Sequence, residues 1–590
     1  MNSSLHSFYI PVLGTGFTID SPLAVAKYGI DSVISLVDDA LIEQMRRHWC
    51  KKLDEPYTEI NSQNLDARAL RITAYLNLLQ KFISKQITDL RASSFEPGSE
   101  ITKYFEMLPD SPIKKIYQEM LVAPQSEKNA LQKSLREKTT VGSIDVNIMT
   151  KLDRANSRDG ELLSYEFNDA AAALRGYANS NITSSLILSA GFNPHLYGYM
   201  TNFIDFYPDK NGEIKKKICL KVSDYRSAAI QGKYLAKHGL WVSEYRIESP
   251  LNCGGHAFIN DGQLLGPILE EFKQRKDELI ETLHGFYVHA LKNIKKFCSD
   301  FPKNVKITAQ GGIGTNYEHE FLIKRYKLDA TGWGTPFLLV PEVTNVDDEH
   351  LQKLIDAKEE DVFLSAASPL GVPFWNLKNS SSENARIDRI NNGTPGAICT
   401  KGYAKLDQEF SQSPLCRASS IYQKLKLQAL EKTSLFGEQL AELKKDILSK
   451  ACVCNDLAGG AVIKNRIDTK IKSALCPGPN IINFKKIVTL KEMVDHIYGR
   501  CSLIANENRP NLFIRELQLQ LSYLADEIKK SSLGLPTRSM QKLAEVKKNL
   551  SEGIDYYKNL ATELLKEQQE KFLAALKELQ KDLENIATEL

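Results

Sequence analysis

The stretch from Lys303 to Glu342, KNVKITAQGGIGTNYEHEFLIKRYKLDATGWGTPFLLVPE, constrains the fold more than any other part of the chain. Two short apolar runs, Val305 to Ala309 and Phe337 to Val340, read as strands. Gly311-Gly312 and Gly332-Trp333-Gly334-Thr335 read as turns, and the segment between them as a helix. A strand that runs through a glycine turn into a helix exposes clustered backbone N–H groups at its carboxyl end, where phosphate binds. Glycine lets the backbone come close to such a ligand.

The rest of the chain repeats this unit. Residues 8 to 37 begin with a strand-like run ending at Gly14-Thr15-Gly16, pass through a short helix that starts at Pro22, and return to a β-branched run. Further strands are expected at Ser143 to Met149, at Ser185 to Ser189 before Ala190-Gly191-Phe192-Asn193, at Ile218 to Val222, and at Trp241 to Ile247. Each is followed by a helix-capable segment such as Tyr225 to His238. Strict alternation of strand and helix predicts a parallel sheet with helices outside, closed as a (β/α)8 TIM barrel in the α/β class. The loops after strands seven and eight of such a barrel are its usual phosphate site. Asp361 to Ser365 and the loop Ser368 to Pro373 form the last barrel-associated piece.

The remaining segments differ in character. Long stretches with apolar residues at i, i+3, i+4, such as LDARALRITAYLNLLQKFISKQITDL, predict a helical insertion over 40–138. The barrel then takes 1–39 and 139–385, a cysteine-rich region 386–500, and a helical region 501–590. In the tail, Phe572, Leu576, Leu579, Leu583, Ile586 and Leu590 alternate spacings of three and four, a heptad seam that serves either internal packing or a homo-oligomeric coiled coil. A chain of 590 residues has room for all of these units. Its net charge of +3 implies no nucleic-acid partner. No run approaches a membrane-spanning length, and MNSSLHSFYIPVLGTG lacks a basic-then-apolar leader, so the expectation is a soluble cytoplasmic protein with no membrane partner.

The chemistry concentrates in Glu248-Ser249-Pro250-Leu251-Asn252-Cys253-Gly254-Gly255-His256, directly after a predicted barrel strand. A histidine delivered there by two glycines is a candidate general base, because its ordinary pKa lies near neutrality. A purely structural turn is the competing reading.

Taken in order, the segments Ile10 to Val37, Asp145 to Met149, Cys253 to His256, Gln310 to Thr315, Gly332 to Glu342 and Asp361 to Asn376 resemble the nitronate monooxygenase (2-nitropropane dioxygenase-like) family, which includes flavin-dependent enoyl-ACP reductases. The chain shows VNIM, CGGH, QGGI and WGTPFLLVPE where the family shows Val-Asn-hydrophobic, Ala-Gly-Gly-His, Ala-Gly-Gly-Ile and Met-Gly-Thr followed by an apolar strand and Glu. The resemblance implies an FMN-dependent oxidoreductase. The phosphate would lie on Gly311, Gly312, Gly334 and Thr335, and the ring near Gly14, Thr15, Asn147 and Lys221. His256 would be the base that removes a proton from a carbon acid such as an alkyl nitronate. In the reductase branch NAD(P)H supplies the electrons and an acyl thioester receives them. Cys253, Gln310 and Trp333 depart from the pattern and alter the pocket lining. A non-catalytic scaffold working through the helical C-terminus is the alternative from another class.

Cys399, Cys416, Cys452, Cys454 and Cys476 place five of the ten cysteines in the region after the barrel. Thiolates at that density suit an iron–sulfur cluster or zinc, and would give a flavin an electron route. No CxxC pair is present, and ordinary buried thiols are the alternative.

Overall fold

The computed structural model describes residues 5–189, 191–252, 254–298 and 304–587. Eight strands, β1 (Phe8–Ile10), β2 (Asp31–Ser35), β3 (Ile144–Met149), β4 (Ser184–Ser189), β5 (Lys216–Val222), β6 (Val242–Glu248), β7 (Lys306–Gln310) and β8 (Ala330–Gly332), close into one barrel. Every neighbouring pair is parallel, and Phe8 opposite Thr331 completes the ring from β1 to β8. The (β/α)8 barrel expected from strand–helix alternation is therefore present. Ala190, which follows β4, lies outside the described residues.

The eighth strand is not where the apolar pattern put it. Phe337 to Val340 was expected as a strand, but Thr335–Leu339 is a short 3-10 helix with Pro336 in its first turn. Proline has no N–H to give a sheet and a φ already suited to a helix start. The strand is the unpromising Ala-Thr-Gly that precedes it. An apolar run this short does not separate strand from buried helix by period alone. Phe337, Leu338, Leu339 and Val340 are buried all the same.

Period-two alternation sorts the strand residues into two sets. Ile34, Val146, Leu186, Leu188, Ile218, Leu220, Tyr245 and Ile247 join the main core shared with the surrounding helices. Val33, Ile187 and Cys219 form a small separate cluster with Val12. Buried polar groups accompany that cluster. Arg246 Nε donates to Glu244 Oε1 at 2.8 Å, Thr308 Oγ1 donates to the same oxygen at 2.6 Å, and the guanidinium lies 3.8 Å from the centre of the Tyr9 ring. Each buried charge thus has a partner, which burial requires.

Helices Asp39–Lys52, Ala67–Ala92, Glu100–Met107, Pro112–Val122 and Gln125–Lys138 fill the interval between β2 and β3. The longest buries Ile72, Leu76, Leu79, Ile83, Ile87 and Leu90, the predicted stripe. It approaches the alanine-rich helix Asp169–Ala178 so closely that a Cβ on Gly176 would sit 2.7 Å from Ala69 O. Beyond the barrel, β9 (Val362–Ser365) and β10 (Phe374–Leu377) form an antiparallel hairpin. Helices Leu512–Ser532, Met540–Leu560 and Lys566–Ala587 pack on one another at the end of the chain. Phe572, Leu576, Leu579 and Leu583 are buried there and Ile586 is partly buried, so the heptad seam faces its own chain. Leu590 lies outside the described residues. Among the described residues no helix is long and apolar enough to cross a membrane.

Candidate functional site

His256, Gly14, Thr15, Asn147, Lys221, Gly311, Gly312, Gly334 and Thr335 all line one cavity at the carboxyl end of the barrel, about 830 Å³ including its open mouth. They come from segments spread over more than half the chain. The barrel brings them together because every parallel strand ends at the same rim.

One corner is built from turns. Gly311 and Gly312 have φ of +107° and +78°, a region that side chains disfavour, and a Cβ on Gly312 would meet Leu251 Cδ1 at 2.7 Å. The backbone N–H groups of Gly312, Gly334 and Thr335 donate to no other described residue. They are donors held ready for an anion. The following helix, Asn316–Tyr326, offers less: Thr315 Oγ1 accepts from Glu318 N, and the Glu318 carboxylate accepts from Gly314 N at 2.9 Å. Its N-terminus is capped by its own residues, so the anion-binding capacity lies in the turns. Arg509 reaches in from the C-terminal region, donating to Gly312 O at 2.7 Å and pairing with Glu318 at 2.7 Å. Gly478 closes one side, where a Cβ would lie 2.7 Å from Thr335 Oγ1.

The lining also carries unmet polar atoms. Thr15 Oγ1 and Asn252 Oδ1 are buried with no hydrogen-bond partner among the described residues, and both residues line the cavity. Such orphans are costly unless a ligand or water meets them. Unpartnered turn amides and orphaned polar atoms in one cavity fit a ligand with an anionic tail and a polar ring, which is what FMN would present.

The floor is a charge-paired network. Lys221 Nζ lies 2.8 Å from Glu248 Oε2, Gln310 Nε2 donates to Glu248 Oε1 at 2.6 Å, and Tyr9 OH donates to Gln310 Oε1 at 3.1 Å. Lys221 was expected as a cation beside the ring; Glu248 opposes much of that charge. Gln310, a departure from the family pattern, is the link between Glu248 and the barrel interior.

His256 is held from behind by the β9–β10 hairpin. Trp375 N donates to Gly255 O at 2.7 Å and Ala257 N to Pro373 O at 2.9 Å. The ring packs edge-on against Phe374, and Nε2 lies 2.7 Å from Oγ of fully buried Ser368. In the tautomer that donates Nε2–H to Ser368, the lone pair sits on Nδ1, which bonds to no other described residue. Burial lowers the pKa of His256 to about 4, and the Lys221 and Lys151 cations add to the shift. The imidazole is therefore neutral at pH 7. Cys253, beside the base in sequence, lies outside the described residues.

Residues to which sequence reading gave no role also line the cavity, among them Met149, Ser189 and Leu457, together with Glu248 at the head of the stretch that carries His256. Ser189 and Glu248 close their strands, and Glu248 stands two residues on from inward-facing Arg246, a signal that alternation contained. Leu457 comes from an irregular segment and left none, whereas Ser368 opens the loop already read as barrel-associated.

The five cysteines do not gather as one ligand set. Among the described residues no three His, Cys, Asp or Glu are grouped so as to hold a metal ion. Cys399 contacts Cys416 and Cys452 contacts Cys454, whereas Cys476 belongs to the main hydrophobic core. Of the cysteines named as candidates for a cluster or zinc, four form two adjacent thiol pairs and Cys476 stands apart from them in the main core.

No protein-family model matches the chain, and no curated protein sequence does. Among solved structures it is similar to the enoyl reductase domain of MlnA from the macrolactin biosynthesis cluster of Bacillus amyloliquefaciens, at 14% identity over 66% of this chain and 86% of that one, with a TM-score of 0.32. A superposition at that level bears no weight, and the fold rests on the strand pairing above. What the pairing and the cavity define is a (β/α)8 barrel with a cavity at its carboxyl-terminal mouth.

Proposed function

We propose that this cavity binds FMN and that the protein is a flavin-dependent oxidoreductase acting on a carbon acid, with alkyl nitronates as the substrate class. One observation carries the reading: nine residues singled out by family resemblance line a single cavity whose turn amides and Thr15 hydroxyl have no partner among the described residues. The amides of Gly312, Gly334 and Thr335 would hold the phosphate, and Gly14, Thr15 and Asn147 the ring. When bound, the flavin supplies a two-electron acceptor. His256 Nδ1 takes the α-proton while Ser368 fixes the ring through Nε2. A weakly basic imidazole suffices, because the anion formed beside it favours the protonated ring. Lys221, steadied by Glu248, offers that anion a counter-charge that does not wander.

The absorbance spectrum of purified protein, with FMN added back to stripped protein, tests the cofactor. A flavin spectrum together with nitronate-dependent oxygen uptake is the expected result. Protein that neither retains nor takes up FMN sinks the reading. Bleaching of bound flavin by NADPH and reduction of an enoyl thioester, without nitronate turnover, would replace the substrate class with the reductase one.

A further inference from the structure

Outside the cavity the most reactive-looking chemistry is the thiol cluster. Backbone pairing puts two loops side by side: Ala397 N donates to Ala418 O at 3.0 Å and Ser420 N to Ala397 O at 3.0 Å. Cys399 follows the first contact and Cys416 precedes the second, so their thiols meet over Ala404 and Ala418. The first loop is well anchored. Lys401 pairs with Asp38, Tyr403 OH donates to Asp38 and Asp39 at 3.1 Å, and Arg154 Nη1 donates to Gly402 O at 2.9 Å. Cys399 is half-buried and Cys416 is buried. No disulfide joins them.

We propose that Cys399 and Cys416 are a redox-active dithiol, Cys399 the attacking thiolate and Cys416 the resolving thiol, closing to a disulfide in exchange with a low-molecular-weight disulfide. The Cys399 thiolate attacks one sulfur of the small disulfide, forming a mixed disulfide and releasing one small thiolate. Cys416 gives up its proton and attacks the Cys399 sulfur, closing the protein disulfide and releasing the second. Two protein thiols are oxidised, one small disulfide is reduced to two thiols, and the two protein protons go to them. The environment assists the first step. The hydrogen bond from Cys416 lowers the pKa of Cys399 to about 6, helped by the Gly402 N–H and the cations Lys405 and Arg154. The same contact pushes the Cys416 thiol up. A thiolate near a resolving thiol, partly open to solvent, is the arrangement of exchange-active cysteines. The second pair, Cys452 and Cys454, stands near enough to Cys399 and Cys416 to feel their charge, so it is the control for site selectivity.

The experiment treats reduced full-length protein with glutathione disulfide and maps peptides under non-reducing conditions, with metal and sulfide analysis of the untreated protein. The expected result is a Cys399–Cys416 cross-link in the wild type and a stable glutathione adduct on Cys399 in Cys416→Ser. In the wild type, iodoacetamide should also modify Cys399 about tenfold faster than the other thiols at pH 7, a measurement that needs no variant. The proposal is overturned by a cross-link confined to Cys452–Cys454, by no cross-link while Cys399 reacts no faster than its neighbours, or by stoichiometric iron with sulfide, or zinc, released as the four thiols become titratable.

Discussion

Lys221 and Glu248, at the ends of neighbouring parallel strands, pair at 2.8 Å under the candidate site, with side chains 14% and 8% exposed. Removing one partner of such a pair strands the other charge in a poorly hydrated place, at about 3–5 kcal/mol. Lys221→Met and Glu248→Gln should therefore each lower stability by several times more than the double substitution, which removes both charges. Chemical denaturation of the three variants checks this. A loss in the double variant equal to the sum of the two single losses would mean that the pair is not coupled.

His256 should set the acid limb of activity. Its folded pKa of about 4 lies below the unfolded value of 6.5, so turnover per free enzyme should hold from neutrality downward and fall only as pH approaches 4. Between pH 6.5 and 4 the unfolded state binds a proton that the folded state refuses, so His256 makes stability fall as pH falls through that window. His256→Gln should cut turnover by about 10²–10⁴-fold and leave FMN binding intact. A rate–pH profile with its limb near 6.5 would contradict the burial of the ring.

Glu516 has the opposite sign. It is 1% exposed, accepts from Leu265 N and Ser249 Oγ at 2.8 Å, and burial raises its pKa to about 7 from 4.5. Between those values the folded state keeps a proton that the unfolded state has lost, so stability declines as pH rises from 4.5 through 7. Glu516→Gln retains the contacts if the Ser249 hydroxyl turns to accept, and should gain on the order of 2 kcal/mol at pH 8 relative to pH 4. Thermal melts of both proteins across this range decide it.

Gly255→Ala should disconnect the base. Its φ is +87°, and a Cβ would stand 2.3 Å from Phe374 Cε2. Strain and overpacking together should cost about 3 kcal/mol. Turnover should drop further than FMN affinity, because the hairpin holds His256 rather than the phosphate corner. Isothermal titration with FMN beside steady-state kinetics separates the two.

In the tail, Leu576→Ala removes a fully buried side chain and should cost about 2–5 kcal/mol. Leu573→Ala, three residues earlier and 38% exposed, should cost under about 1 kcal/mol. Denaturation midpoints of the pair test whether the seam is internal.

Most of the barrel was legible because its parallel strands are buried on both faces and bounded by glycine turns. The rim was legible for the same reason: Gly311, Gly312 and Gly334 mark turns at the strand ends, and all three line the cavity. The eighth strand was not, since Ala-Thr-Gly carries no apolar run and Pro336 follows closely. Nor were the contributions from beyond the barrel, where Leu457, Gly478 and Arg509 arrive from segments that meet it only in three dimensions. The cysteines were visible as a density. Which of them meet depended on the backbone pairing of Ala397 with residues 418–420, and short loops leave no period to read.

Arg509 and Gly478 come from the last third of the chain, yet they brace turns that end by Thr335. Translation delivers amino-terminal segments first, so the eight strands can close while those braces are still unmade. A barrel closed at that stage would lack both contacts until the C-terminal region folds onto it.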